Sequence, residues 1–306
     1  SAIILMIFGY AIFNFENSIS YGLLQGLKAI VVVIVLQAIL GMRKNLLKDS
    51  FDYMIVFITT LILIIFPSSL NQFLCLLLSG FFGLIIYKKD KQSEIKNNIQ
   101  IKINFLSCSP LIFFFSLLFL LPFLSEFFNS NILNLASSFY RIGSLVFGGG
   151  HVVLPLLQEE FVSSGIVEKD IFLAGYGAAQ AIPGPLFTFS SYLGIFFKSE
   201  FSIFLISLLC LFFIFLPSFL LVIGIMPIWQ ELKKMDIIIR SFKGINASVI
   251  GLLVAAFYDP IITSSLRSLE DMVLIIIALV ILFLTKISQW LAVFILSMCG
   301  WGISFL

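Results

Sequence analysis

The chain has 306 residues, 60% of them hydrophobic and 11% charged, and its mean hydropathy of +1.15 lies far from soluble domains, whose apolar share is about half. The net charge of +2, with Lys and Arg gathered in short connections rather than along one face, excludes a nucleic-acid partner. A transmembrane barrel would need short alternating strands, and a signal peptide one short apolar core behind a basic start; neither occurs, which leaves an all-α polytopic membrane protein.

Runs close to the roughly 20 apolar residues that cross a bilayer are expected at 23–41, 104–124, 201–226 and 288–306. Lys28 lies inside the first, about two turns from its outer end, and is either a substrate or coupling charge or a side chain that snorkels to the headgroups. Next come the basic connection Arg43 to Lys48 and two apolar segments, 52–66 and 69–87, joined at "PSS". "KKDKQSEIKNNIQIK" (88–102) follows, with five lysines against Asp90 and Glu94. Basic loops stay in the cytoplasm, and two crossings between these connections put both on that side. Cys75, Cys108, Cys210 and Cys299 sit singly in apolar segments, so neither a disulfide nor a zinc site is expected. "LIFFFSLLFLLPF" (111–123) reads as lipid-facing or core surface and carries no cofactor pattern.

The chain also resembles itself. Displaced by about 218 residues, Gly26 falls on Gly244, Ala29 on Ala247, Val31 on Val249 and Ala38 on Ala256, and the neutral Asn246 stands opposite Lys28. Ser1 falls on Ser218 and, with one residue of slip, Asp52 on Asp271 and Gly83 on Gly302. Loop charge tests the match independently. Residues 42–51 carry +2 where 259–271 carry −2, and 14–22 carry only Glu16 where 230–243 carry +2. Corresponding loops therefore lie on opposite sides, so the copies have inverted topology, a plan common in secondary transporters. The expected organisation is 1–87 as the latter part of a first repeat, 88–103 as a basic cytoplasmic linker and 104–306 as the second repeat. On this reading the first copy is truncated by on the order of a hundred residues relative to the second.

Two stretches of the second repeat interrupt their own apolar pattern. One runs from 132 through Gly148, Gly149 and Gly150 to 157, the other from 167 through Pro183, Gly184 and Pro185 to 197. In a helix, glycine costs about 1 kcal/mol relative to alanine and proline about 3, so each stretch is expected to form two half-helices. Such breaks persist in a membrane only where they are buried in protein or line a watery cavity. Glycine lets the backbone approach a ligand, and a half-helix N-terminus presents free N–H groups with partial positive charge. That is an anion site without a buried cation. Small residues also permit close helix crossing, the reading given to "GYGAAQA" (175–181). For the glycine triplet both roles stay open, and two breaks within one repeat tilt the balance toward a site.

"RIGSLVFGGGHVVLPLLQEEFV" (141–162), "DIFLAGYGAAQAIPGPLFTFSSYLG" (170–194) and "GINASVIGLLVAAFYDP" (244–260) resemble the second half of the chromate transporter family. The resemblance implies a bacterial inner-membrane carrier of two homologous inverted halves that exports chromate on the proton motive force. Sulfate, chromate's structural analogue, is an alternative substrate, and a homodimer is left open as the assembly. Full-length relatives carry a first-half glycine motif and Pro-Gly-Pro segment, and neither occurs before residue 104. The family's motifs fall on Gly148, Gly149, Gly150 and His151, and on Gln180, Pro183, Gly184 and Pro185; on this resemblance, amides near the two breaks would cradle the oxyanion, with Gln180 as a neutral side-chain donor.

His151 either binds the anion when protonated, relays a proton, or is a neutral histidine bonded between helices. Arg141, two helical turns before the glycines, is expected on their face as a cation attracting the dianion or as an interfacial anchor. Glu159 and Glu160, in a net acidic stretch with Glu168 and Asp170, are either an outward-facing solvated loop or a proton site, with the loop favoured. An anion channel with the same glycine site is the alternative to a carrier. An enzyme has no support from one histidine without HExxH or CxxC.

Overall fold

The computed structural model describes residues 1–15, 21–88, 105–147, 149–285 and 287–303. The linker beyond Lys88, and Gly148, lie outside them. The helices in chain order are α1 (Ala2–Phe15), α2 (Tyr21–Leu46), α3 (Ser50–Ile65), α4 (Ser69–Ile86), α5 (Phe105–Phe127), α6 (Asn131–Leu145), α7 (Val153–Phe161), α8 (Lys169–Ala181), α9 (Phe189–Leu193), α10 (Ile203–Ile225), α11 (Trp229–Leu232), α12 (Asp236–Ala256), α13 (Thr263–Ser265), α14 (Leu269–Leu284) and α15 (Gln289–Ile303). Among the described residues five spans, Gly22–Leu46, Ser69–Ile86, Ser109–Phe127, Ile203–Ile228 and Asp236–Ser265, are long and apolar enough to cross a membrane. The protein is thus a polytopic all-α membrane protein. α2 outlasts its apolar run because Arg43 and Lys44 fall in its last turn, where cations suit the helix dipole. Phe113, Phe115, Phe119 and Phe123 on α5 are exposed while Phe114 and Leu121 are buried, so the Phe-rich run serves both as lipid-type surface and as core.

Two compact units result. One comprises Ser1–Lys44, Gly149–Leu211 and Leu252–Leu306; the other comprises Asn45–Gly148 and Phe212–Gly251. In the first, Leu27, Ile30, Val33 and Ile34 of α2 pack with Leu274 and Ala278 of α14 and Ala292, Val293 and Leu296 of α15. α1 lies against α8 and α9. In the second, Phe114 and Leu121 of α5 meet Tyr140 of α6, whose hydroxyl donates to the Phe114 carbonyl at 2.9 Å.

The helix crossings explain the glycines that the internal match paired. A Cβ on Gly26 would lie 2.2 Å from the Leu296 carbonyl oxygen, and one on Gly300 2.1 Å from that of Gly22. In the second unit a Cβ on Gly244 would lie 2.0 Å from the Ser79 oxygen, and one on Gly83 2.5 Å from that of Arg240. The same backbone-on-backbone crossing is made twice. Its geometry pairs Gly83 with Gly300 rather than with the expected Gly302, beside which there is open space. Asp52 and Asp271 also play one role. Both are buried, and each Oδ2 accepts the two amides leading into its helix: those of Lys48 and Asp49 at 2.7 and 2.8 Å before α3, and those of Arg267 and Ser268 at 3.0 Å each before α14.

Gly26→Ala or Gly244→Ala should therefore destabilise the full-length protein by about 1–3 kcal/mol through overpacking, read as a lowered Tm in detergent. Gly302→Ala should leave Tm unchanged.

Candidate functional site

The extended backbone at Val146 (φ −76°, ψ 112°) ends α6 after Leu145. Arg141 is exposed on α6 and does not share a helical face with the glycines, because the helix stops before it reaches them. That corrects the expectation drawn from the two-turn spacing. Gly149 has φ +153° and ψ 163°, a backbone region that is essentially glycine-only, and no atom lies within 4 Å of where its Cβ would be. The residue is required by backbone geometry, not by crowding.

From Gly150 the chain makes a single 3-10 turn, Gly150–Val152, and enters α7. An exposed turn, 163–166, leads to α8, which ends at Ala181 where Ile182 becomes extended. Pro183, Gly184 and Pro185 are exposed. The Pro185 carbonyl accepts the Thr188 amide at 3.0 Å and the Thr188 hydroxyl at 2.8 Å, which starts the next 3-10 turn, Leu186–Thr188, and α9. α7 and α8 are joined by the short turn 163–166, and the two interruptions lie at the helix ends away from it. The two 3-10 turns pack on each other, with the Cβ position of Gly150 3.5 Å from Leu186 Cβ. Helices of nine and thirteen residues rise only about 14 and 20 Å, less than the roughly 30 Å hydrocarbon core.

His151 Nδ1 lies 3.0 Å from the hydroxyl of Tyr176, a hydrogen bond. Tyr176 is fully buried and meets Phe189 of α9 edge-on, 5.7 Å between centroids. Phe189 stacks on Tyr192, whose hydroxyl donates to the Ile171 carbonyl at 2.8 Å. This aromatic column fixes α9 to α8 behind the interruptions. Gln180, one turn beyond Tyr176, lies near its phenol, yet the buried Nε2 donates no well-formed hydrogen bond. As the small-residue run implied, Gly177 sits on the Leu27 carbonyl, 2.8 Å from its Cβ position.

Lys28 is not with the interruptions and does not snorkel. It is 2% exposed and pairs with Asp170 Oδ2 at 3.2 Å. Asp170 consequently leaves the solvated acidic group assigned to it. Sequence reasoning missed Tyr176 and Asp170; the i,i+4 spacing of Tyr176 and Gln180 on one helix face was the available signal for the first. A cavity of about 400 Å³ is lined by Leu27, Ala178, Ala181, Ile182, Trp290 and Met298 among others. It is apolar and does not include Gly149, Gly150 or His151.

Gly149→Ala should cost about 1–3 kcal/mol of stability from backbone strain alone, measured by denaturant or thermal unfolding of the full-length protein. Gly150→Ala, with ordinary contact distances to Leu186, should cost clearly less.

Three comparisons bear on identity. A protein of Methanocaldococcus jannaschii named as an uncharacterized transporter is 24% identical over 258 residues, covering 83% of this chain and 62% of that protein. The chain thus spans about three fifths of the curated relative's length. No solved structure matches it. The family model described as chromate transporter matches residues 133–301, more than half of the sequence and the whole of both interruptions, and the chain belongs to the chromate transporter family.

Proposed function

We propose that the complete protein is a secondary carrier for a tetrahedral oxyanion, chromate or its analogue sulfate, built from two inverted copies represented here by 1–87 and 104–306. It works in a bacterial inner membrane, with linker 88–103 on the cytoplasmic side, and draws on the proton motive force. The anion is held where the interruptions meet. The first amides of the 3-10 turns, at Gly150 and His151 and at Leu186 and Phe187, have no partner within their own helices and carry partial positive charge. Gln180 adds a neutral side-chain donor, and His151, tied to Tyr176, is a neutral part of the wall.

The observation that carries this reading is the buried Gln180 Nε2, which lies near the Tyr176 phenol without a well-formed hydrogen bond, three residues from Pro183, where one of two interruptions packed against each other begins. A buried donor left unsatisfied costs about 1–3 kcal/mol, so its retention fits a ligand acceptor. Family membership supports the ligand's class. The short lengths of α7 and α8 support a site within the bilayer, where amide donors replace the hydration shell of a dianion.

Gln180→Leu separates a binding role from a packing role. Removing an unsatisfied polar group for an apolar one should leave Tm equal or higher. Uptake of chromate by vesicles bearing the complete protein should fall at least about tenfold, equivalent to about 1.4 kcal/mol. Sulfate and molybdate are measured as competitors. Undiminished uptake removes Gln180 from the cradle, and flux that never exceeds the electrochemical gradient assigns the protein to the channels.

A further inference from the structure

At the end of α8 remote from Gln180, the first unit holds a charge cluster that the cradle does not use. Lys28 Nζ lies 3.2 Å from Asp170 Oδ2 and donates to the Ser264 carbonyl at 3.4 Å. Arg267 Nη1 reaches the same Oδ2 at 3.5 Å. Asp170 Oδ1 is buried and accepts no hydrogen bond. The Asp170 side chain is 26% exposed and that of Lys28 only 3%, so the carboxylate stands between solvent and the ammonium group.

The other charges near Asp170 are engaged or turned outward. Lys169, the next residue along the helix, pairs with Asp259 at 3.1 Å. Asp271 of α14 is buried and holds the Arg267 and Ser268 amides. Glu168 and Glu270 are exposed. α1, α9 and α15, which also pack on α8, contain no Asp, Glu, Lys, Arg or His. Lys28 and Arg267 are therefore the cations that answer Asp170, and the triad carries one net positive charge.

Two burial costs oppose each other here. The carboxylate keeps one oxygen buried without a donor, at about 1–3 kcal/mol. Its loss as an anion would strand a buried ammonium, which costs about 3–5 kcal/mol when a buried pair is broken by removing one partner. The two penalties act in opposite directions on one carboxyl group, at the point where solvent reaches it.

We propose that Asp170 is the proton-binding group of this carrier and Lys28 its counter-ion. A proton arriving from solvent at Asp170 converts the carboxylate to the neutral acid, the Lys28 pair opens, and the cluster passes from one net positive charge to two, attracting the dianion toward the cradle. This rests on the oxyanion-carrier reading above. It assigns the proton to Asp170, whose side chain reaches solvent, rather than to His151.

The test uses the complete protein in lipid vesicles. Infrared difference spectra between acid and alkaline pH should show a protonated-carboxyl band that Asp170→Asn abolishes and Asp170→Glu retains at a shifted frequency. In Lys28→Met the band should persist to higher pH, because removing a cation beside a carboxylate favours its neutral form. Chromate uptake by Asp170→Asn should lose its dependence on pH, and Asp170→Glu should keep it. If either single variant misfolds, Lys28→Met combined with Asp170→Asn leaves no unmatched partner within the pair, and should accumulate normally while lacking the band. A carboxyl band unaffected by Asp170→Asn overturns the proposal, and so does an unchanged pH profile of uptake in that variant. No chromate uptake by the unaltered protein, with the Asp170 band present, refutes the oxyanion reading and upholds Asp170 as the proton site.

Discussion

Everything distinctive in this fold follows from the cost of an unpaired backbone amide in an apolar surrounding. A helix satisfies its own N–H and C=O groups except at its ends, so an interruption creates several orphans at once, each costing several kcal/mol in hydrocarbon. The chain interrupts itself at Gly149 and at Pro183 to Pro185 and brings the two places together, with the Gly150 Cβ position 3.5 Å from Leu186. α7 and α8 are each too short to reach across a bilayer, and the 3-10 turns that follow the two interruptions pack on each other. An aromatic backing of Tyr176, Phe189 and Tyr192 holds them in register.

The contacts between helices obey a second form of the same economy. Without water to drive association, helices in lipid are held by close packing, and here the closest approaches are made where a missing Cβ admits a carbonyl. Gly26 on Leu296 and Gly244 on Ser79 are the same contact made 218 residues apart in the chain. The capping carboxylates Asp52 and Asp271 repeat in the same way. Glycine pairs and buried acids at element boundaries are therefore better markers of a repeated plan than the apolar residues between them, which any greasy helix supplies.

That explains which features were legible in the sequence. Four of the five spans and the two interruptions were readable because composition and helix breaking are local properties; the expected run 288–306 instead holds the shorter α15, and Asp236–Ser265, with its charged first turns, was not among the expected runs. The pairing of Asp52 with Asp271 was readable because a buried acid in an apolar chain has few uses. Arg141 was misplaced since its argument assumed an unbroken helix through residues that the glycines themselves disrupt. Lys28 was recognised as anomalous, but its partner was not, because Asp170 sits 142 positions away in a stretch whose local composition reads as a solvated acidic loop. Pairing across that distance is set by packing, which periodicity does not encode. Gly83 found Gly300 rather than Gly302 for a related reason: a two-residue slip in register leaves the apolar pattern of α15 almost unchanged and shows only in the crossing.

On the carrier reading proposed above, the division of labour along α8 makes physical sense for a dianion that must be both bound and released. A fixed cation at the cradle would strengthen binding in a low-dielectric setting by many kcal/mol and would hold the ligand too tightly for turnover, since passage requires binding that is favourable yet reversible. Neutral donors at the interruptions avoid this. The full charges are placed at the other end of the helix, ten residues from Gln180 or about 15 Å along its axis, and there they are held in check by Asp170. The site so proposed, recognising shape through amides with attraction supplied at a distance and adjusted by one carboxylate, would meet both requirements without burying an unmatched charge beside the ligand.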